Sequence, residues 1–147
     1  MESTAIISLL PLYLITSSIS ESVELSNELI SINTHKEYPI IIDYKRLDTQ
    51  SWFGGADPNE RWIISVIKPD RSIVNIDNNN VQVNCNFSKD HAEYDFICFI
   101  EDDQVLTFTA SISLESDQVI YKIGNIQPKD GYKLFRIDFC KSILLYI

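Results

Sequence analysis

From residue 105 to 114 the chain reads Val-Leu-Thr-Phe-Thr-Ala-Ser-Ile-Ser-Leu, with Leu106, Phe108, Ala110, Ile112 and Leu114 at every second position. Only an extended strand sends alternate side chains to opposite sides, so this spacing lays five apolar groups on one face and Thr and Ser on the other. A helix would scatter the same five around its circumference. Shorter runs of the same kind, rich in Ile, Val, Phe, Tyr and Thr, recur along the chain between clusters of Asp, Asn, Pro and Gly, and helical periodicity is nearly absent. The expected strands are 22–26, 29–33, 38–45, 61–68, 72–77, 81–88, 94–101, 105–114, 118–124 and 132–140. Nothing repeats at a fixed period, which excludes a solenoid or propeller.

Strands this short and this closely spaced predict an all-β fold, an antiparallel β-sandwich of about 8–10 short strands, Ig-like or jelly-roll-like. A small up-and-down β-barrel is the alternative. The sandwich is favoured because residues 46–60 read as a loop crossing between sheets rather than as a hairpin turn. Turns are predicted at Lys68-Pro69-Asp70-Arg71, where Pro presets φ at the second position, and at Glu101-Asp102-Asp103-Gln104, Glu115-Ser116-Asp117-Gln118 and residues 127–131. A hairpin with its loop at residues 90–93 would pair Phe87 with Phe96, Cys85 with Cys98 and Val83 with Ile100, all on one face. That register allows a Cys85–Cys98 disulfide in an oxidising compartment and two buried free thiols, the preferred reading, in a reducing one. Cys140 makes the cysteines odd in number, so at least one stays unpaired within the chain.

At 147 residues one domain accounts for the whole chain and can bury roughly two thirds of its unfolded surface, so folding needs no metal or disulfide. The formal charge of −9 repels phosphate, which argues against nucleic acid and anionic membranes as partners. Charge is uneven: no Lys or Arg precedes Lys36, whereas Lys122, Lys129, Lys133, Arg136 and Lys141 cluster late, so the first and last strands could pair with complementary rims. The apolar run at residues 5–15 is too short to span a membrane as a helix. It lacks a positive flank and contains Pro11, and is read as a first strand or a broken strand pair, with a removed signal peptide over residues 1–20 as the alternative.

Chemistry-bearing patterns are sparse. His35 and His91 fall in expected turns without partners at catalytic or ligand spacing, and read as exposed turn residues. Nucleophile elbow, zinc-protease helix, Cys-x-x-Cys pair and phosphate-cradling loop are all missing, so no catalytic residue, metal ligand or cofactor is expected. The most distinctive stretch is residues 51–60, with two adjacent aromatics, a Gly pair and acceptor oxygens; Trp52, Phe53 and Asp57 are its candidate binding residues. The competing reading folds Trp52 or Phe53 back as a plug over the open end of the sandwich. Asn86-Phe87-Ser88 is a glycosylation sequon of the kind that arises by accident at this length.

Gly54-Gly55-Ala56-Asp57-Pro58 resembles a C2-domain loop in which G-x-S-D-P precedes a strand, and Glu101-Asp102-Asp103 lies after a strand as a second calcium loop would. The resemblance spans five residues and departs at Ser51, where the family has its first Asp, and at Asn59, where it has Tyr. It implies a calcium-binding sandwich with oxygen ligands gathered at one end.

A well-specified scaffold without a reactive constellation points to a non-enzymatic protein-binding or assembly module with an acidic surface, such as an inhibitor or immunity-type protein or a structural subunit. Its partner would be another protein, a basic one for preference, or a further copy of itself. A barrel binding a small apolar ligand and the C2-like calcium binder are the alternatives.

Overall fold

The computed structural model describes residues 22–57 and 62–138. They form eleven strands: β1 (Ser22–Ser26), β2 (Ile30–His35), β3 (Ile41–Arg46), β4 (Ser51–Gly54), β5 (Ile63–Ile67), β6 (Ile73–Ile76), β7 (Val81–Phe87), β8 (His91–Ile100), β9 (Asp103–Glu115), β10 (Gln118–Pro128) and β11 (Lys133–Asp138). A 3-10 turn, Asn78–Asn80, precedes β7 and is capped by the Asp77 carboxylate. The strands make three antiparallel sheets, β1-β2-β3-β4, β10-β9-β8-β7 and β11-β5-β6. Within each, neighbours follow chain order, with one return that sets β11 beside β5. All three sheets stay open, so the barrel alternative is set aside and the expected all-β sandwich stands.

The alternation read in residues 105–114 organises the interior. Cross-strand pairing lines Phe96 up with Phe108, Cys98 with Leu106, Tyr94 with Ala110 and Ala92 with Ile112, and all eight are buried. Against this face lie Leu25, Ile30 and Ile32 of the first sheet and Ile64, Val66 and Ile76 of the third, in one continuous core. Two contacts show that both smaller sheets cover the same layer. The Tyr94 hydroxyl is 2.9 Å from that of Thr34 on β2. Trp62, just ahead of β5, sets its ring edge-on to Phe96 at 5.1 Å. The opposite face of β9 carries Thr107, Thr109, Ser111 and Ser113, as a solvated sheet face requires.

Each expected strand is present, and the turns fall where they were read except the one between β7 and β8. At Lys68-Pro69-Asp70-Arg71 the Arg71 N–H donates to the Lys68 carbonyl at 2.9 Å. Glu101 and Asp102 take φ of 49° and 66°, the two-residue loop whose twist suits a hairpin. Gly131, with φ of 84°, turns the chain into β11.

Two expectations need correction. The β7–β8 hairpin exists, but its loop is Lys89-Asp90, closed by the Ser88 N–H on the His91 carbonyl at 2.8 Å. Phe87 therefore faces Ala92, Cys85 faces Tyr94, Val83 faces Phe96 and Val81 faces Cys98, a register four residues from the expected one. An even slip keeps every side chain on its own face, so alternation could not discriminate between the two registers. The tighter turn extends the ladder, and two outside hydrogen bonds hold it: Ser26 N–H to the Lys89 carbonyl (2.7 Å) and Leu114 N–H to the Asp90 carbonyl (2.9 Å). Second, residues 46–60 are not a crossing loop throughout, because Ser51–Gly54 return along β3 as the edge strand β4. β1 pairs with β2 and β11 with β5, and the apolar ends whose pairing was expected lie outside the described residues. The apolar run at 5–15, the signal-peptide reading and Cys140 lie outside the described residues. Among the described residues no helix is long and apolar enough to cross a membrane.

Candidate functional site at the edge strand

The candidate site is built on β4. The turn before it is fixed by polar contacts: Arg46 clamps the Asp48 carboxylate at 2.8 Å, Asp48 accepts the Thr49 N–H at 2.8 Å, and the Gln50 side-chain amide donates to the Leu47 carbonyl at 2.7 Å. Gln50 takes the positive φ of 55°. Arg46 holds Asp48 below the usual carboxylate range, by hydrogen bonding first. Beyond β4, the N–H groups of Gly55 and Ala56 donate to the carbonyls of Ile42 (3.0 Å) and Ile41 (2.9 Å). Those two carbonyls sit at the bulge where β3 slips register against β2 between Asn33 and Thr34.

Held at both ends, β4 displays its aromatics. Trp52 is 61% exposed and Phe53 52% exposed, whereas Trp62, Phe96 and Phe108 are buried. Neither folds back as a plug; Trp62 lies in the core instead. Adjacent strand residues point to opposite sides. Trp52 pairs with Lys45, whose ammonium lies 5.0 Å from the indole centroid. Phe53 pairs with Tyr44, ring against tilted ring at 5.7 Å. Asp57 is exposed past the buried Ala56. The three candidate residues thus lie along one edge but do not converge on one point, which suits an extended contact rather than a small-molecule site.

His35 is not an exposed turn residue. It is 3% exposed at the end of β2, with its ring stacked on Tyr38 at 4.1 Å. Its Nδ1 accepts the Glu37 N–H at 3.0 Å, and its carbonyl accepts the Tyr94 hydroxyl at 2.8 Å. Thr34 Oγ1 donates to the Ile40 carbonyl at 2.9 Å and also touches the Tyr94 hydroxyl. The two hydroxyls share their protons between each other and the two carbonyls, which satisfies a polar seam between sheets. Burial pushes the Tyr94 phenol well above its ordinary value. The inward parity of Tyr94 was legible in the sequence, since a Tyr on a core face needs a partner for its hydroxyl. His91 is half-buried at the start of β8, opposite Ser113.

Cys85 and Cys98 are free thiols, the first exposed and the second buried. With their partners four residues apart on the ladder, the two lie roughly 13 Å apart along the strands, beyond the roughly 7 Å that a disulfide tolerates. Burial, then the charges of Glu37 and Asp95, push the Cys85 thiol up to about 11; burial alone takes Cys98 up to about 12. At pH 8 a thiol at 11 instead of 9.0 holds about a hundredfold less thiolate, partly offset by the greater nucleophilicity of that thiolate. In a Cys140→Ser background, Cys85 should therefore react with an aromatic disulfide reagent on the order of tenfold more slowly than in the urea-unfolded chain. Cys98 should react only on unfolding. Equal folded and unfolded rates would contradict this assignment.

Among the described residues no three His, Cys, Asp or Glu side chains come together as a metal-binding group. Asp103 of the proposed second calcium loop is held by the Lys129 ammonium. Asn86, the sequon residue, is exposed on the outer face of β7 opposite Glu93. Fold and site together define an all-β sandwich whose aromatic-bearing strand β4 is an edge among the described residues. No protein-family model and no curated protein matches this chain.

Proposed function

We propose that this chain is a non-enzymatic protein-binding or assembly module that meets its partner along β4. The observation that carries the reading is the pair Trp52 and Phe53, held more than half exposed on a strand anchored at both ends. Large aromatics with few rotatable bonds are the side chains that bury most area at least entropic cost, and they dominate binding hot spots. Among the described residues no strand pairs with the outer edge of β4, whose backbone donors and acceptors can take an extended partner segment as a further strand. The acidic surface, at a net −9, favours a basic protein as that partner.

The test is affinity capture from the native source with the wild-type chain and a Trp52→Ala/Phe53→Ala variant whose dichroism and denaturation midpoint match wild type. A partner retained by wild type and weakened by about 2 kcal/mol or more in the variant supports the reading. Equal retention by both, or no partner for either, overturns it.

A further inference from the structure

We infer that the outer face of the β11-β5-β6 sheet binds the acidic turn end of a second copy of this chain, giving a head-to-tail association through a face other than β4. On this face Ile67 pairs with Ile73, and Ile63 lies four positions before Ile67 on β5, with the buried Ser65 between them. On β11 the register slips between Leu134 and Arg136, so the bulge sets Phe135 and Arg136 against Ser65. Ile73 is 54% exposed, Phe135 55% and Ile63 37%. The outward face of a sandwich sheet is ordinarily polar, as the Thr and Ser row on β9 is, so an apolar row here marks a contact surface.

The rim supplies the charge. Lys68 and Arg71 lie at the β5–β6 turn, and Lys133 and Arg136 on β11. Of the acids nearby, Asp70 is engaged by the N–H and hydroxyl of Ser72 and Asp138 by Arg136, and Asp130 stands in the turn whose Gly131 adjoins Pro69. Lys68, Arg71 and Lys133 form no ion pair among the described residues, on a chain where acids outnumber bases 21 to 12.

The complement is at the far end of the molecule. Four turns are gathered there by Ser26 N–H on the Lys89 carbonyl, Leu114 N–H on that of Asp90, Leu47 N–H on that of Leu29, and the Asn27 amide on that of Ser116. They carry Glu28, Asp48, Asp90, Glu115 and Asp117 against Lys89 and an Arg46 already bound to Asp48. The third sheet belongs to the opposite end, because the Lys129 N–H, just before β11, donates to the Val105 carbonyl near the start of β9. The stretch of β9 from Val105 to Glu115 keeps the two patches roughly 30 Å apart. A chain cannot close this distance on itself, whereas a second copy can. The two patches differ, so the contact is heterologous and continues into a ring or an open string. At physiological salt the overall repulsion is screened beyond about 8 Å, and the local pairs decide.

The experiment is sedimentation equilibrium of the full chain at about 0.15 M salt, with two charge reversals checked for fold by dichroism. Wild type should grow in mass with concentration. Arg71→Glu/Lys133→Glu, which spoils the face, and Glu115→Lys/Asp117→Lys, which spoils the end, should each associate at least about tenfold more weakly. Mixed, they should recover association, because one retains the end and the other the face. A wild-type chain monomeric throughout, association indifferent to either reversal, or a mixture that stays monomeric would overturn the inference. Monomers that bind polyglutamate would reassign the face to an acidic protein, and monomers that bind vesicles of anionic lipid would reassign it to a membrane surface.

Discussion

Gly55→Ala should cost about 3–5 kcal/mol of stability, an effect reserved for the few positions where a single added methyl meets immovable atoms. A Cβ at Gly55 would overlap the Ile41 carbonyl oxygen and lie 2.8 Å from the Ile42 carbonyl oxygen and 2.9 Å from the Ile41 carbonyl carbon. All three are backbone atoms, and both oxygens are in use, accepting from Ala56 and Gly55. Backing away would sever those two bonds and strip β4 from β3, taking Trp52 and Phe53 with it. Gly54 is the internal control, because a Cβ there meets nothing within 4 Å. Gly54→Ala should shift stability by no more than about 1 kcal/mol. Urea denaturation of the three proteins, read by far-ultraviolet dichroism, decides it: matching midpoints for Gly55→Ala and wild type would show that the two chain segments do not approach as closely as described. The variant should also lose whatever partner the β4 edge holds.

That glycine pair illustrates what the sequence hid. Residues 51–60 looked flexible because they hold two of the four glycines, but Gly55 is there for close approach to the β3 bulge and not for freedom. Strand β4 escaped notice because Ser-Trp-Phe-Gly has no alternation: an edge strand at the margin of a sheet is constrained on neither face strongly enough to write a pattern. The long strands were legible for the opposite reason. β8 and β9 face a core on one side and water on the other, so their period of two is enforced along their length. Register was the middle case. The face of each residue on β7 and β8 could be read, but the four-residue slide that separates Cys85 from Cys98 is decided by the Lys89-Asp90 turn and its ties to β1 and β9, which are tertiary facts. The same limit applied to the candidate site. Trp52 and Phe53 stood out as a pair of aromatics in a polar stretch, yet their opposite faces follow only once Ser51–Gly54 is known to be a strand. The basic outer face escaped notice because Lys68 and Arg71 join Lys133 and Arg136 only through the return of β11 to β5, across more than sixty intervening positions.

That return also determines how the molecule should unfold. Phe96 lies at the meeting point of two sheets: its ring stacks parallel on Phe108 at 4.5 Å within the large sheet, and meets the edge of Trp62, which leads into β5, at 5.1 Å. It is 1% exposed. Phe96→Ala should therefore cost about 3–5 kcal/mol, the lost transfer energy plus the cavity left among rings that cannot collapse inward. Phe99→Ala is the comparison, since Phe99 is only half-buried, beside the register slip between β8 and β9, and should cost clearly less. The manner of unfolding is as informative as the size of the loss. If the three sheets share one core, near-ultraviolet dichroism, dominated by the buried Trp62, and far-ultraviolet dichroism should trace a single transition in wild type and variant alike. A near-ultraviolet signal lost at lower denaturant than the strand signal would mean that the β11-β5-β6 sheet detaches on its own, and that the aromatic bridge from Phe96 to Trp62 does not bind it to the rest.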